Sequence, residues 1–146
     1  MQKKLFLFFV LISSAVFAQK KPLDHSVYDS WQSVGSKQLT NNGVWATYIV
    51  SVQEGDGNLY FQETLTPSGR KLTVSRGTNL SFSNDSKFAA LAIKPLFKDV
   101  RQAKIKKKKP DEMTKDTLAI VNLTTLNVTK IPRVKSFSFP KTNFIF

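Results

Sequence analysis

The only histidine, His25, follows Asp24 in "KKPLDHSVYDSW", and a histidine beside a carboxylate is the pairing that activates a serine for hydrolysis. No G-x-S-x-G elbow occurs anywhere in the chain to present such a serine. His25 is therefore read as a surface residue ahead of a short helix, and no catalytic residue is assigned. With one histidine and no cysteine, the chain lacks the ligand set of a protein zinc site and the thiols for a disulfide framework. A lipid anchor on an N-terminal cysteine is excluded for the same reason.

Oxygen ligands come closest to clustering in "EGDGN", Glu54 to Asn58. The stretch lacks the spacing and the terminal bidentate glutamate of a calcium loop, and Asp-Gly favours a hairpin turn, so it is read as a turn. No metal and no cofactor are assigned. Asn79, Asn84, Asn122 and Asn127 each open an N-x-Ser/Thr triplet, which matters only where a secretory pathway glycosylates it.

Charge is the remaining chemical signal. The formal net charge is +12, and five lysines fall between Lys104 and Lys109 in "KIKKKKPDEMTKD". Nucleic-acid binding calls for aromatic residues interleaved with such a run, and there are none. Asp111, Glu112 and Asp116 follow directly, so the segment is expected to be a partly self-neutralised solvated loop. Binding of a polyanion through Lys104 to Lys109 is the competing reading.

These residues need elements to hold them. "MQKKLFLFFVLISSAVFA" sets two lysines before an apolar run and ends on Val-Phe-Ala, the pattern of a secretory signal peptide spanning 1–18 and cleaved near Ala18. The run is too short for the roughly 20 residues that cross a bilayer. An extracytoplasmic mature chain without a transmembrane anchor is expected, starting near Gln19. In the 19–35 segment, Ser26 and Asp29 resemble a capping box, and Val27, Tyr28 and Trp31 share one side of a short helix that Gly35 would end.

After Gly35 the pattern is β. Ser36 to Leu39, Val44 to Val52, Leu59 to Thr64 and "RKLTVS" read as four strands separated by "TNNG", "QEGDGN" and "TPSG". The series then restarts: "NLSF", "KFAALAI", Thr117 to Asn122 and "VTKI" follow in the same order. "LTNNGVWATY" and "FSNDSKFAAL" mark the same point in each unit, 43 residues apart. "VKSFSFPKTNFIF" opens a third unit, with Phe139 matching Phe82 at a spacing of 57. The additional 14 residues are assigned to a loop between the second and third strands of unit two.

Four short antiparallel strands recurring every 40 to 50 residues are the pattern of β-propeller blades. The expected fold is all-β: an incomplete propeller with blade one at about 36–78, blade two at about 79–135 and the start of blade three at 136–146. A β-sandwich with two similar hairpins is the competing fold, and the matching order of strands and turns favours the propeller. Blades bury both faces by stacking, so a chain holding two of them is expected to be a piece of a larger protein.

"PLDHSVYDSWQSVGSKQLTNNGVWATYIVSVQEGDGNLY", "NDSKFAALAIKPLF", "RQAKIKKKKPDEMTKDTLAIVNL" and "VKSFSFP" together resemble the N-terminal region of secreted prolyl oligopeptidase family serine peptidases. The resemblance implies a propeller set on an α/β-hydrolase domain that carries the Ser, Asp and His cleaving short peptides. It implies a non-catalytic part for the present residues, gating access and restricting peptide substrates. None of the family's catalytic positions has a counterpart here. The alternative is a stand-alone extracytoplasmic binding module that forms an oligomer through its open blade edges.

Overall fold

A computed structural model describes Tyr28 and residues 31–140. The 1–18 segment, Asp24, His25, Ser26, Val27, Asp29 and the terminal "NFIF" lie outside the described residues. The described residues are mostly β, with eight strands among them: β1 (Gln32–Leu39), β2 (Trp45–Val52), β3 (Asn58–Glu63), β4 (Lys71–Ser75), β5 (Gly77–Phe82), β6 (Phe88–Ile93), β7 (Thr117–Asn122) and β8 (Val128–Pro132). They form two four-stranded antiparallel sheets in sequential order, β1-β2-β3-β4 and β5-β6-β7-β8.

Two expectations are corrected at the first strand. It begins at Gln32 instead of Ser36, and Gly35, expected to end a helix, pairs with Ile49 inside it. All eight residues of β1 are exposed, so no apolar alternation marks it in the sequence. Only the end of the expected helix is described: Tyr28 and Trp31 meet edge to face at 5.0 Å, and the Trp31 amide donates to the Tyr28 carbonyl at 3.1 Å.

The repeat extends to backbone conformation. Register breaks between Gly35 and Gln38 in β1, and between Thr78 and Ser81 in β5. Inside each break sits a left-handed residue, Ser36 (φ 45°) or Asn79 (φ 51°), the added residue of a bulge. The following turns match as well. Thr40 Oγ1 donates to Asn42 Oδ1 at 2.8 Å and accepts from the Trp45 amide at 3.0 Å. Ser83 Oγ donates to Asp85 Oδ1 at 2.6 Å and accepts from the Phe88 amide at 2.9 Å. A positive φ closes each turn, at Gly43 (71°) and Ser86 (57°).

The expected insertion is also corrected. Trp45 lies opposite Glu63, and Phe88 opposite Asn122, so matching residues are 43 apart in the second strands but 59 apart in the third. In the fourth strands Lys71 matches Val128, 57 apart. The β6–β7 connection therefore holds 16 additional residues, two more than expected, because the β7–β8 turn is two shorter than β3–β4. Nor is it a plain loop: it contains α1 (Phe97–Ile105) and a 3-10 turn at Pro110–Glu112. Asp99 in the first turn of α1 and Lys104 in the last complement the helix dipole. Lys107, at φ 50°, then turns the chain away.

One core joins the two sheets. Trp45, Leu59, Phe61 and Val74 from the first pack with Leu80, Ala89, Leu91, Ile93, Ala119 and Val121 from the second. Side chains alternate between strand faces, so the core takes one face of each sheet. Gly77 sits at the seam, where a Cβ would lie 2.9 Å from Leu59 Cβ and 3.0 Å from Leu91 Cδ1. A side chain there would hold the sheets apart. Arg70 ties their rims: it donates to Glu63 at 3.1 and 3.2 Å, reaches the Thr124 carbonyl at 2.7 Å and lies 5.3 Å from the Trp45 ring centre.

Candidate functional site

The residues singled out for chemistry are dispersed, and most have a local structural role. Glu54 to Gly57 lie in the β2–β3 turn and Asn58 opens β3, and the acids of the turn reach α1 in the second unit. Asp56 Oδ1 accepts from the Phe97 amide at 2.9 Å, and Glu54 Oε2 lies 3.4 Å from Arg101 Nη1. An exposed helix N-terminus has unsatisfied amides, and the Asp56 carboxylate supplies one acceptor from 41 residues away. The turn thus holds the N-terminal part of α1. Among the described residues, no group of three or more His, Cys, Asp or Glu side chains is placed to hold a metal ion.

Asn79 occupies the β5 bulge. Asn84 receives a hydrogen bond from Asn41 Nδ2, at 3.1 Å on its side-chain oxygen and 3.2 Å on its carbonyl, linking the two equivalent turns. Asn122 Oδ1 accepts from the amides of Thr124 and Thr125 at 2.9 and 3.1 Å, and Asn127 closes the same turn.

The lysine run is exposed to solvent, but it is not a plain loop and the acids after it do not neutralise it. Lys104 is the last-turn cation of α1, and Lys106 to Lys109 form the turn beyond it, with the Lys106 and Lys108 amides donating to the Gln102 and Ala103 carbonyls. The acids that follow find other partners. Asp111 lies 3.8 Å from Lys115 Nζ, and Asp116 Oδ2 is 2.7 Å from Lys94 Nζ. Among the described residues, neutralisation comes from Lys94 and Lys115, and the run itself has no ion pair.

These groups frame a cleft of about 790 Å³ between α1, the 3-10 turn and the chain leaving β8. Val100, Met113 and Val134 give it an apolar floor, while Lys94, Arg133 and Lys135 are cations on its rim. Arg133 has a left-handed backbone (φ 61°), as does Arg76 (φ 60°) at the same point of the first unit. No charge pattern in the sequence brings Arg133 and Lys135 beside Lys94, because strand pairing does so. A second cleft, of about 290 Å³, lies between the sheets under α1, among Ile49, Asp56, Arg76, Thr78 and Phe97.

Two carboxyls titrate below the usual carboxylate range. The guanidinium of Arg70, and then its backbone amide, hold Glu63 down, and Arg70 is raised in return. The Ser83 hydroxyl, and then the Lys87 amide, do the same for Asp85. Both belong to turns and ties between strands.

No protein-family model matches the chain, and no curated protein matches it. Among solved structures it is similar to an acylaminoacyl peptidase in complex with Z-Gly-Gly-Phe-chloromethyl ketone, with a TM-score of 0.52 and 11% sequence identity. The match covers 80% of this chain and 16% of that one, so this chain spans a small part of the peptidase it resembles. At this identity the likeness is one of fold. Among the described residues, no helix is long and apolar enough to cross a membrane.

Proposed function

We propose that the chain supplies two consecutive blades of a propeller belonging to the prolyl oligopeptidase family of serine peptidases. These blades are non-catalytic and restrict the access of peptides to a hydrolase domain. The observation that carries this reading is the one-directional stacking of the two sheets. Trp45, Leu59 and Phe61 face forward into the second sheet; the same positions of that sheet are Phe88, Leu118 and Ile120, which face forward again, away from the first. Ala89, Leu91 and Val121 face back into the core, and their counterparts Ala46, Tyr48 and Gln62 face back from the first sheet.

A sandwich pairs two like faces once, whereas a propeller repeats one forward-to-back contact around a ring. Residues 134–137 come after the second left-handed arginine and, with Ala92 and Leu118, line a cleft of about 310 Å³ on the forward face of the second sheet. They form no strand here, but that is where the propeller reading would set the first strand of a third blade. The fold-level likeness to an acylaminoacyl peptidase supports the choice of family.

The test is the coding region beyond Phe146. An in-frame continuation with G-x-S-x-G, then Asp, then His is expected; a stop codon there, with no hydrolase sequence downstream in any frame, sinks the reading. The signal-peptide reading of 1–18 extends the proposal to an extracytoplasmic address. Mass spectrometry of the exported protein is expected to find Gln19 as its first residue.

A further inference from the structure

The larger cleft, between α1, the 3-10 turn and the chain leaving β8, has a chemistry that the propeller reading leaves unused. Its floor of Val100, Met113 and Val134 is apolar, and it is large enough for several side chains of an extended peptide. Its rim holds four cations, Lys94, Lys115, Arg133 and Lys135, against two carboxylates, Asp111 and Asp116. Both carboxylates are already engaged, with Lys115 and Lys94. Arg133 and Lys135 have no ion-pair partner among the described residues.

The surroundings add to the same sign. Lys106 to Lys109 join α1, which supplies Val100, to Pro110 on the rim. Asp56 and Glu54 fix the start of α1 from the first sheet, so the cationic turn is carried on an attached stem. With four cations against two carboxylates the lining is net positive, and a positive excess beside apolar walls raises the local concentration of oppositely charged ligands.

We propose that this cleft binds acidic peptides, their carboxylates on Arg133 and Lys135 and their apolar side chains on Val100, Met113 and Val134. Lys106 to Lys109 steer such peptides toward it. The inference rests on the propeller reading for its biological sense: the restricting domain would favour peptides that alternate acidic and apolar residues. An apolar floor inside a cationic rim fits such a peptide better than a polysaccharide, which has no apolar side chains to cover it.

The test uses the mature chain and a fluorescein-labelled peptide of alternating Glu and Leu, read by anisotropy at low and at physiological salt. Binding is expected, weakening with salt, and absent for the matching Lys-Leu peptide. Arg133→Gln with Lys135→Gln is expected to weaken it at least tenfold. Gln at all of Lys106 to Lys109 is expected mainly to slow association. Circular dichroism confirms that both variants stay folded. The proposal falls if the Glu-Leu peptide fails to bind, if the Lys-Leu peptide binds equally, or if the Arg133/Lys135 variant binds undiminished. It falls too if heparin or phosphatidylserine vesicles bind the wild-type chain while the peptide does not. None of these results depends on the coding region beyond Phe146, so failure here and failure of the propeller reading are separable.

Discussion

Trp45 and Phe88 hold the same place in the two sheets, at the start of the second strand and 43 residues apart, yet Trp45 is 2% exposed and Phe88 39%. The first faces a neighbouring sheet and the second does not. Trp45→Ala should therefore cost about 3–5 kcal/mol, the range for emptying a large aromatic site. Phe88→Ala should cost less than about 1 kcal/mol. Urea midpoints, taken at concentrations where they no longer depend on concentration, decide this. Equal losses would contradict the one-directional stacking.

Gly77 and Gly35 also occupy neighbouring places in matching first strands, and their surroundings differ. A Cβ at Gly77 would meet Leu59 and Leu91 at 2.9–3.0 Å, while one at Gly35 meets nothing within 4 Å. Gly77→Ala should destabilise by about 1–3 kcal/mol, the usual penalty for overpacking. Gly35→Ala should be neutral or slightly stabilising, since it restricts mainly the unfolded chain. Thermal melts of both variants give the comparison, and a neutral Gly77→Ala would place the sheet seam elsewhere.

Much of this architecture was legible because turns and strand cores obey local chemistry. Thr40-Asn41-Asn42-Gly43 and Ser83-Asn84-Asp85-Ser86 announce the same turn in different residues, and "WATYIV" and "FAALAI" the same strand. Failure came where tertiary context decides. β1 is wholly exposed and contains Gly35, so nothing local outweighs the capping pattern before it. α1 buries none of its nine residues and leaves no apolar stripe to read. Arg76 and Arg133 adopt a left-handed backbone that arginine rarely takes, so neither announces the joint between units. The cationic rim was missed for a related reason: Lys94, Arg133 and Lys135 are distant in sequence, while the conspicuous run from Lys104 to Lys109 lies beside the cleft.

Acid should loosen the molecule through Glu63 and Asp85. Both carboxyls have folded-state pKa values below their unfolded ones, held there by Arg70 and by Ser83 respectively. A depressed carboxyl adds stability that is complete above the unfolded pKa, about 4 for these residue types, and is lost as pH falls through the folded pKa. Stability should thus be level near neutrality and decline below about pH 4–5. Glu63→Gln should lower stability at neutral pH and flatten this decline. Asp85→Asn should flatten it while keeping the turn, because Asn42 already fills that place in the first unit. Chemical denaturation between pH 7 and 3 checks both; an unchanged slope in the Glu63 variant would remove Arg70 as the cause.

The inserted helix depends on a residue of the other sheet. α1 has no side-chain cap from its own flanking residues and no buried residue, and its first amide is met by Asp56 across the sheet seam. Asp56→Ala leaves that amide without its partner, and loss of such a cap costs about 0.5–2 kcal/mol. That sum falls on the insert alone, so the global melting transition should hardly move while local opening rises about 2- to 30-fold. Trypsin reads this directly at Lys104 to Lys109: cleavage there should quicken by that factor, with cleavage in the strands unchanged. Asp56→Asn, which keeps a side-chain acceptor, should restore most of the protection. Glu54→Gln removes only an exposed ion pair with Arg101, worth at most about 1 kcal/mol, and should have the smaller effect. If Asp56→Ala left tryptic cleavage at wild-type rates, the helix would be held by Phe97 and Val100 against the sheet edges, and the acidic turn would be a hairpin and nothing more.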